Sequence, residues 1–170
     1  TDVVVLEKET LGSGSTSKSA GGIRAQFADE LNVRMALRSM AEFQALERVS
    51  GIGYKRHGYL FMLTNEVDVE SFQTAIELQS RLGVPSRLIS PDDVKAMIPA
   101  LETSDLLAAA YCPIDGHASP ESVVQAYAGV AATQGVTVLQ GTSLDRIAVL
   151  GDKIVTIETG SGHTNAVLSG

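Results

Sequence analysis

Val3-Val4-Val5-Leu6-Glu7-Lys8 leads into Gly12-Ser13-Gly14-Ser15-Thr16-Ser17-Lys18-Ser19-Ala20-Gly21-Gly22-Ile23-Arg24. The first half reads as a buried strand, because an unbroken apolar run closed by an acid and turn residues suits the interior of a parallel sheet. The second half is a glycine and serine loop whose backbone can press against a phosphate or a flat cofactor, since little side-chain bulk holds it away. An acid at the carboxyl end of a parallel strand is where a dinucleotide fold holds ribose hydroxyls. Glu7 stands at that place, and a solvated acid where a strand meets its loop is the alternative.

The loop fails the G-x-x-x-x-G-K-[ST] spacing of a P-loop. On composition alone it is a phosphate cradle or a flexible surface loop.

With 170 residues, 44% of them hydrophobic, the chain can bury a real core as one domain or two small ones. Its 20 acidic residues outnumber 13 basic ones, giving a formal charge of -7 without a basic stripe, which argues against nucleic acid as a partner. The single cysteine, Cys112, excludes an internal disulfide framework, and no Cys or His pair has zinc spacing, so no metal is expected. No signal peptide or membrane-length apolar run is present, so a cytoplasmic setting without membrane contact is the default.

Further along, residues 29–49 place Val33, Leu37, Met40, Phe43 and Leu46 on one face of a helix. A strand follows over 54–63, bulged at Gly58, then a helix over 67–82 stopped by Gly83, and a strand over 86–89. Ser90-Pro91-Asp92-Asp93 opens a short helix with a serine cap, an early proline and two acids. A strand over 106–111 precedes a helix from Pro120 to Gln134 with Val123, Tyr127 and Val130 facing the core. Strands over 136–139, 144–150, 153–159 and 164–168 complete the pattern, with Gly151-Asp152 as a hairpin turn. The fold class is α/β, a mixed α+β order of elements. It suits a discontinuous domain of residues 1–48 and 119–170 interrupted by a second domain of 49–118.

Three pieces occur in one order: Val3 to Phe27, with Ser-Lys-Ser-Ala-Gly-Gly-Ile-Arg-Ala-Gln-Phe at its end; Gly58-Tyr59-Leu60; and Asp115-Gly116-His117-Ala118-Ser119-Pro120. In these the chain resembles the FAD-dependent oxidoreductases of the D-amino-acid oxidase superfamily, in the branch of sarcosine oxidase, dimethylglycine dehydrogenase and the proline dehydrogenase beta subunit. The resemblance implies a partial FAD-binding, Rossmann-like domain and a substrate-side domain with a mostly antiparallel sheet. In that family a G-x-G-x-x-G turn lies just before the strand ending at Glu7, and this sequence contains no such motif. The expectation is therefore a piece of a flavoenzyme that lacks the N-terminal turn and the C-terminal part, holds FAD weakly if at all, and is inactive by itself.

Residue by residue, the resemblance implies Glu7 at the adenosine ribose, Ser15 and Thr16 near the pyrophosphate, Gly21 and Gly22 under the flavin ring, and Lys8 and Ser17 among the cofactor-binding residues. It implies Leu144 at the adenine through its backbone, where core packing is the alternative. Arg24 would face the substrate pocket and bind a carboxylate through its planar fork. Its other reading is an ion pair with Asp29 or Glu30. His117 is a structural residue of the Asp-Gly-His turn or a general base, no residue is identified as the base, and His57 and His163 carry no assigned role. The implied activity is oxidation of the C–N bond of a small amine or amino acid. A non-catalytic module that binds a small molecule or partner is the competing class.

Overall fold

A computed structural model describes residues 3–151 and 153–160. Its elements run β1 (Val4–Glu7), a 3-10 turn (Thr16–Lys18), β2 (Gly22–Ile23), α1 (Glu30–Ser50), β3 (Tyr59–Leu63), α2 (Glu66–Arg81) and β4 (Arg87–Ile89). They continue with α3 (Pro91–Met97), β5 (Ala108–Cys112), β6 (Gly116–His117), α4 (Pro120–Thr133), β7 (Thr137–Gln140), β8 (Leu144–Leu150) and β9 (Lys153–Thr159). The mixed α/β order agrees with the sequence expectation. The strand expected over 164–168 and His163 lie outside the described residues.

Packing divides the chain into two units, Thr1–Ser19 with Pro120–Gly170, and Ala20–Ser119. The boundary therefore falls well before residue 48, and the reason is the core that α1 joins. Val33 and Met40 of α1 are buried with Ala25, Val84 and Cys112, and removing each large side chain from water contributes about 1.5–3 kcal/mol. Asp29 starts α1 by accepting the Asn32 N–H at 2.9 Å, and Gly51 ends it at a φ of 61°.

Within Ala20–Ser119, β3, β5 and β4 form an antiparallel sheet in the order β3-β5-β4, and β2 pairs with β6. A second core of Val94, Leu106 and Ala109 seats α3 on β5. The strand expected from Tyr54 starts only at Tyr59. Lys55 forms an isolated bridge with His117 instead, and Gly58 turns the chain at a φ of 81°, with its missing Cβ filled by the Tyr111 ring.

In the other unit β1 runs parallel to β7, with Glu7 opposite Gln140, and β8 pairs with β9 as a hairpin. The burial expected of β1 is not found: Val4 is 53% exposed and Val3 and Val5 are also exposed. β1 has only β7 as a strand neighbour among the described residues, so one edge and much of its surface stay open. The expected core face of α4 also shifts. Ala126 is buried, whereas Tyr127 and Val130 are exposed.

Candidate functional site

In the unit of Thr1–Ser19 and Pro120–Gly170, the candidate residues gather at the carboxyl end of β1. Glu7 is half-buried, and its Oε1 accepts the Glu9 N–H at 2.8 Å, which fixes the carboxylate at the strand end. Its carbonyl accepts the Thr142 N–H at 2.9 Å, and the Glu9 carbonyl accepts the Gly141 N–H at 2.8 Å. The 141–144 turn is thereby tied to the same strand end. Gln140, which the sequence reading passed over, binds the loop as well: its Oε1 accepts the Leu11 N–H at 2.7 Å. Glu7 and the serine loop thus share one end of a parallel strand pair.

The loop itself is built by short backbone bonds. Ser13 N–H reaches Thr10 O at 3.1 Å, Ser17 N–H reaches Gly12 O at 2.9 Å, and Lys18 N–H reaches Ser15 O at 3.2 Å. Gly12 makes the first bend at a φ of 84°, and a Cβ there would rest 3.8 Å from Val124 of α4. The Ser17 hydroxyl is turned inward, donating to Ser13 O and Gly14 O at 3.3 and 3.2 Å, so this side chain shapes the loop. The backbone N–H groups of Gly14 and Ser15 carry no hydrogen bond to a described residue, and open space surrounds the position of a Gly14 Cβ. Such N–H groups can donate to an anion. Thr16 is half-buried, whereas Lys8 is exposed. Leu144 is 50% exposed at the start of β8, so core packing does not account for it.

In the unit of Ala20–Ser119, Gly21 and Gly22 lead directly to Arg24. Gly21 has a φ of 74°, its carbonyl accepts the Ala118 N–H at 3.0 Å, and a Cβ on Gly22 would stand 3.8 Å from the Tyr59 ring. The Arg24 guanidinium lies over two aromatic rings, 5.3 Å from the centroid of Phe27 and 5.3 Å from that of Phe61. The alternative ion pair with Asp29 or Glu30 is not formed. Asp29 is taken by Asn32, Glu30 pairs with Arg34 at 2.7 Å, and Arg24 has no ion pair with any described residue. Its fork is therefore held by rings rather than by a carboxylate.

Behind Arg24 is a buried polar cluster that periodicity could not reveal. Asp115 is fully buried; its Oδ1 accepts the Ala25 N–H at 2.8 Å and its Oδ2 accepts from Gln26 Nε2 at 3.1 Å. Burial pushes the Asp115 carboxyl above the ordinary aspartate range, against the lowering by Ala25, Gln26, Cys112 and Arg24. Gln79 donates from α2 to the Phe27 carbonyl at 2.9 Å. A glutamine among Phe72, Ala75 and Ile76 on a helix face was the visible trace of this contact.

His117 pairs through its backbone with Gly22 and Lys55, and its ring stacks on His57 with centroids 5.5 Å apart. Those contacts match the structural reading of His117. A cavity of about 380 Å³ is lined by His57, Tyr59, Leu60, Met97, Ile98 and Tyr111. Tyr59 thus faces a pocket, while Tyr54 is buried against Phe43.

Comparison with known proteins follows the same lines. The model of the family described as FAD dependent oxidoreductase matches residues 1–169. The chain is 30% identical over 164 residues to the mitochondrial pyruvate dehydrogenase phosphatase regulatory subunit of Mus musculus, covering 95% of this chain and 19% of that protein. It is 29% identical over 168 residues to mitochondrial dimethylglycine dehydrogenase of Homo sapiens, covering 97% of this chain and 19% of that protein. The crystal structure of L-proline dehydrogenase from P. horikoshii matches with a TM-score of 0.89 at 37% identity, covering 95% of this chain and 43% of that one. The chain spans less than half the length of each of these proteins.

Proposed function

The chain belongs to the family of FAD dependent oxidoreductases, and from that premise we propose that the full gene product oxidises the C–N bond of a small amine or amino acid. Sarcosine, dimethylglycine and proline are the substrate types this reading favours, and the names of dimethylglycine dehydrogenase and L-proline dehydrogenase among the similar proteins support it. FAD, when bound, accepts the hydride equivalent that leaves the carbon beside nitrogen, and water hydrolyses the imine left behind.

The observation that carries the reading is Arg24. A guanidinium braced on two rings, with no ion pair among the described residues, is ready to take a carboxylate through paired N–H donors. In this proposal Arg24 orients an amino-acid substrate so that its C–H meets the cofactor.

The residues of the other unit fit the ribose and phosphate part of FAD. Glu7, fixed at the strand end, offers acceptors to ribose hydroxyls, with Lys8 beside it. The N–H groups of Gly14 and Ser15, which have no hydrogen bond among the described residues, suit the pyrophosphate, with Thr16 and Ser17 shaping that bend and the backbone at Leu144 meeting adenine. Gly21 and Gly22 are assigned to the flavin ring because a flat group can approach where no side chain projects. A charge of -7 keeps nucleic acid out of the proposal, and among the described residues no helix is long and apolar enough to cross a membrane. The proposed setting is cytoplasmic; the two curated relatives are named mitochondrial, and cell fractionation decides between these compartments.

A second reading, a non-catalytic module, has one specific support in the 30% identity to a protein named as a phosphatase regulatory subunit. One experiment separates the two. The gene product is purified, its flavin absorbance is followed through gel filtration, and a panel of N-methylated and cyclic amino acids is offered with an artificial electron acceptor. The oxidase reading expects bound flavin and turnover. It also expects Arg24→Ala to weaken carboxylate substrates by about 10- to 100-fold, as loss of a charge-assisted pair implies. Flavin-free protein without turnover refutes it, whereas R24A with unaltered substrate affinity refutes the carboxylate-anchor role of Arg24.

A further inference from the structure

Arg24 projects from a segment whose own backbone needs an anchor, since residues 24–29 belong to neither helix nor strand. Asp115 supplies that anchor from a distant part of the sequence, at a separation of 90 residues from Ala25. One carboxylate oxygen takes the N–H immediately after Arg24, at 2.8 Å. The other takes the Gln26 side-chain NH2 at 3.1 Å, and the same NH2 reaches the Tyr59 carbonyl at 3.2 Å. Tyr59 opens β3, the strand that carries Phe61, one of the two rings under the guanidinium. The second ring, Phe27, is fixed through its carbonyl by Gln79 at 2.9 Å.

Two sets of bonds thus hold the surroundings of Arg24: Asp115 and Gln26 tie the backbone beside it to β3, and Gln79 separately holds the backbone of Phe27. Both Asp115 oxygens are engaged, and breaking either bond leaves a further buried polar group unpaired beside the Gln26 and Gln79 side-chain oxygens, which have no partner among the described residues, so the Asp115 bonds resist rearrangement. We propose that Asp115, acting through Ala25 and Gln26, is a positioning residue that sets the direction of the Arg24 guanidinium toward a carboxylate ligand. This rests on the anchor role proposed above for Arg24. Asp115 touches no substrate in this scheme and is fully buried. Its further neighbours are the Cys112 thiol and the charge of Arg24 itself.

The test is a double-mutant cycle in the FAD-loaded gene product, with Arg24→Ala, Asp115→Asn and the double variant. The amide introduced by D115N retains an oxygen for the Ala25 N–H but turns its own NH2 against that of Gln26. The probes are cyclopentanecarboxylate and 3-methylbutanoate, the carbon analogues of proline and dimethylglycine, which bind without being oxidised at nitrogen. Cyclopentylmethanol serves as the uncharged control, and binding is read by titration calorimetry and by flavin difference absorbance.

Asp115→Asn is expected to weaken the acids about fivefold while Arg24 is present and by less than about 1.5-fold in the R24A background, the non-additivity of groups acting as one. Cyclopentylmethanol is expected to bind both backgrounds alike. Equal weakening by D115N with and without Arg24 overturns the positioning role and leaves the anchor reading standing. Absence of acid binding to the unaltered protein, or acid binding unchanged in R24A, overturns the anchor reading and the inference with it. If D115N does not fold, Gln26→Met removes the same donor at similar volume, and the cycle is run with a smaller expected effect of about threefold.

Discussion

Adding one methyl group at Gly116 and the same group at Gly129 is expected to move stability in opposite directions. Gly116 sits in β6, where a Cβ would collide with the Lys55 carbonyl oxygen and stand 2.8 Å from the Lys55 carbonyl carbon and 2.9 Å from the Arg56 Cα. All three are backbone atoms, so no rotamer change relieves the contact. The 55–56 segment must withdraw, which strains its reciprocal bonds to His117 at 2.9 and 3.0 Å. Overpacking costs about 1–3 kcal/mol and each lost backbone bond about 1 kcal/mol, so Gly116→Ala is expected to lose about 3–5 kcal/mol. Gly129 lies inside α4, has no positive φ and meets nothing within 4 Å. There Ala gains about 0.8–1 kcal/mol from helix propensity. The assay is urea unfolding with hydrogen-exchange mass spectrometry, resolved on peptides that cover Lys55, His117 and α4. This resolution matters because the two glycines belong to different compact units, and a single midpoint does not tell which unit has changed. A G116A protein within about 0.5 kcal/mol of its parent would show that Lys55 is not pressed against β6.

Asp115 has its carboxyl raised, chiefly by burial, so the folded state holds this proton more tightly than the unfolded chain does. Its contribution to stability is therefore fully present below the ordinary value of 3.8 and is lost as pH rises through the higher folded-state value. Asp115→Asn removes that loss, and urea midpoints of parent and variant are expected to diverge with rising pH; parallel curves contradict the assignment. At the start of α3, Ser90 and Asp93 form a capping box, with Ser90 Oγ accepting the Asp93 N–H at 3.1 Å. Ser90→Ala should cost about 1 kcal/mol, with Ser90→Thr restoring most of it, and equal stability of all three proteins in thermal melts rules out the cap as a source of stability.

Much of the site was legible because its signals are local. A helix start depends on a few adjacent residues, and Ser90-Pro91-Asp92-Asp93 announced that of α3. The strand ending at Glu7, the glycine bend at Gly12 and the placement of Arg24 after two glycines also follow from neighbours in sequence. The face of α4 was misread because Val123, Tyr127 and Val130 keep helical spacing while the contacts that bury Ala126 come from elsewhere in the fold. The strand at Tyr54 was misread for a related reason. Its residues have strand composition, but Lys55 finds its partner in His117, and Gly58 must bend to admit the Tyr111 ring.

The sequence by itself determined the family, the strand with its acid and serine loop, and the place of Arg24 directly after the glycine pair and Ile23. These are properties of residue type and spacing, which the chain carries before it folds. Only the tertiary structure decided that Arg24 rests on Phe27 and Phe61 rather than on Asp29 or Glu30, and that Asp115, Gln26 and Gln79 lie behind it. It likewise brought Gln140 to the start of the loop, across 129 residues. Contacts of that range depend on where whole strands and helices pack, and no local preference of a residue encodes its distant partner.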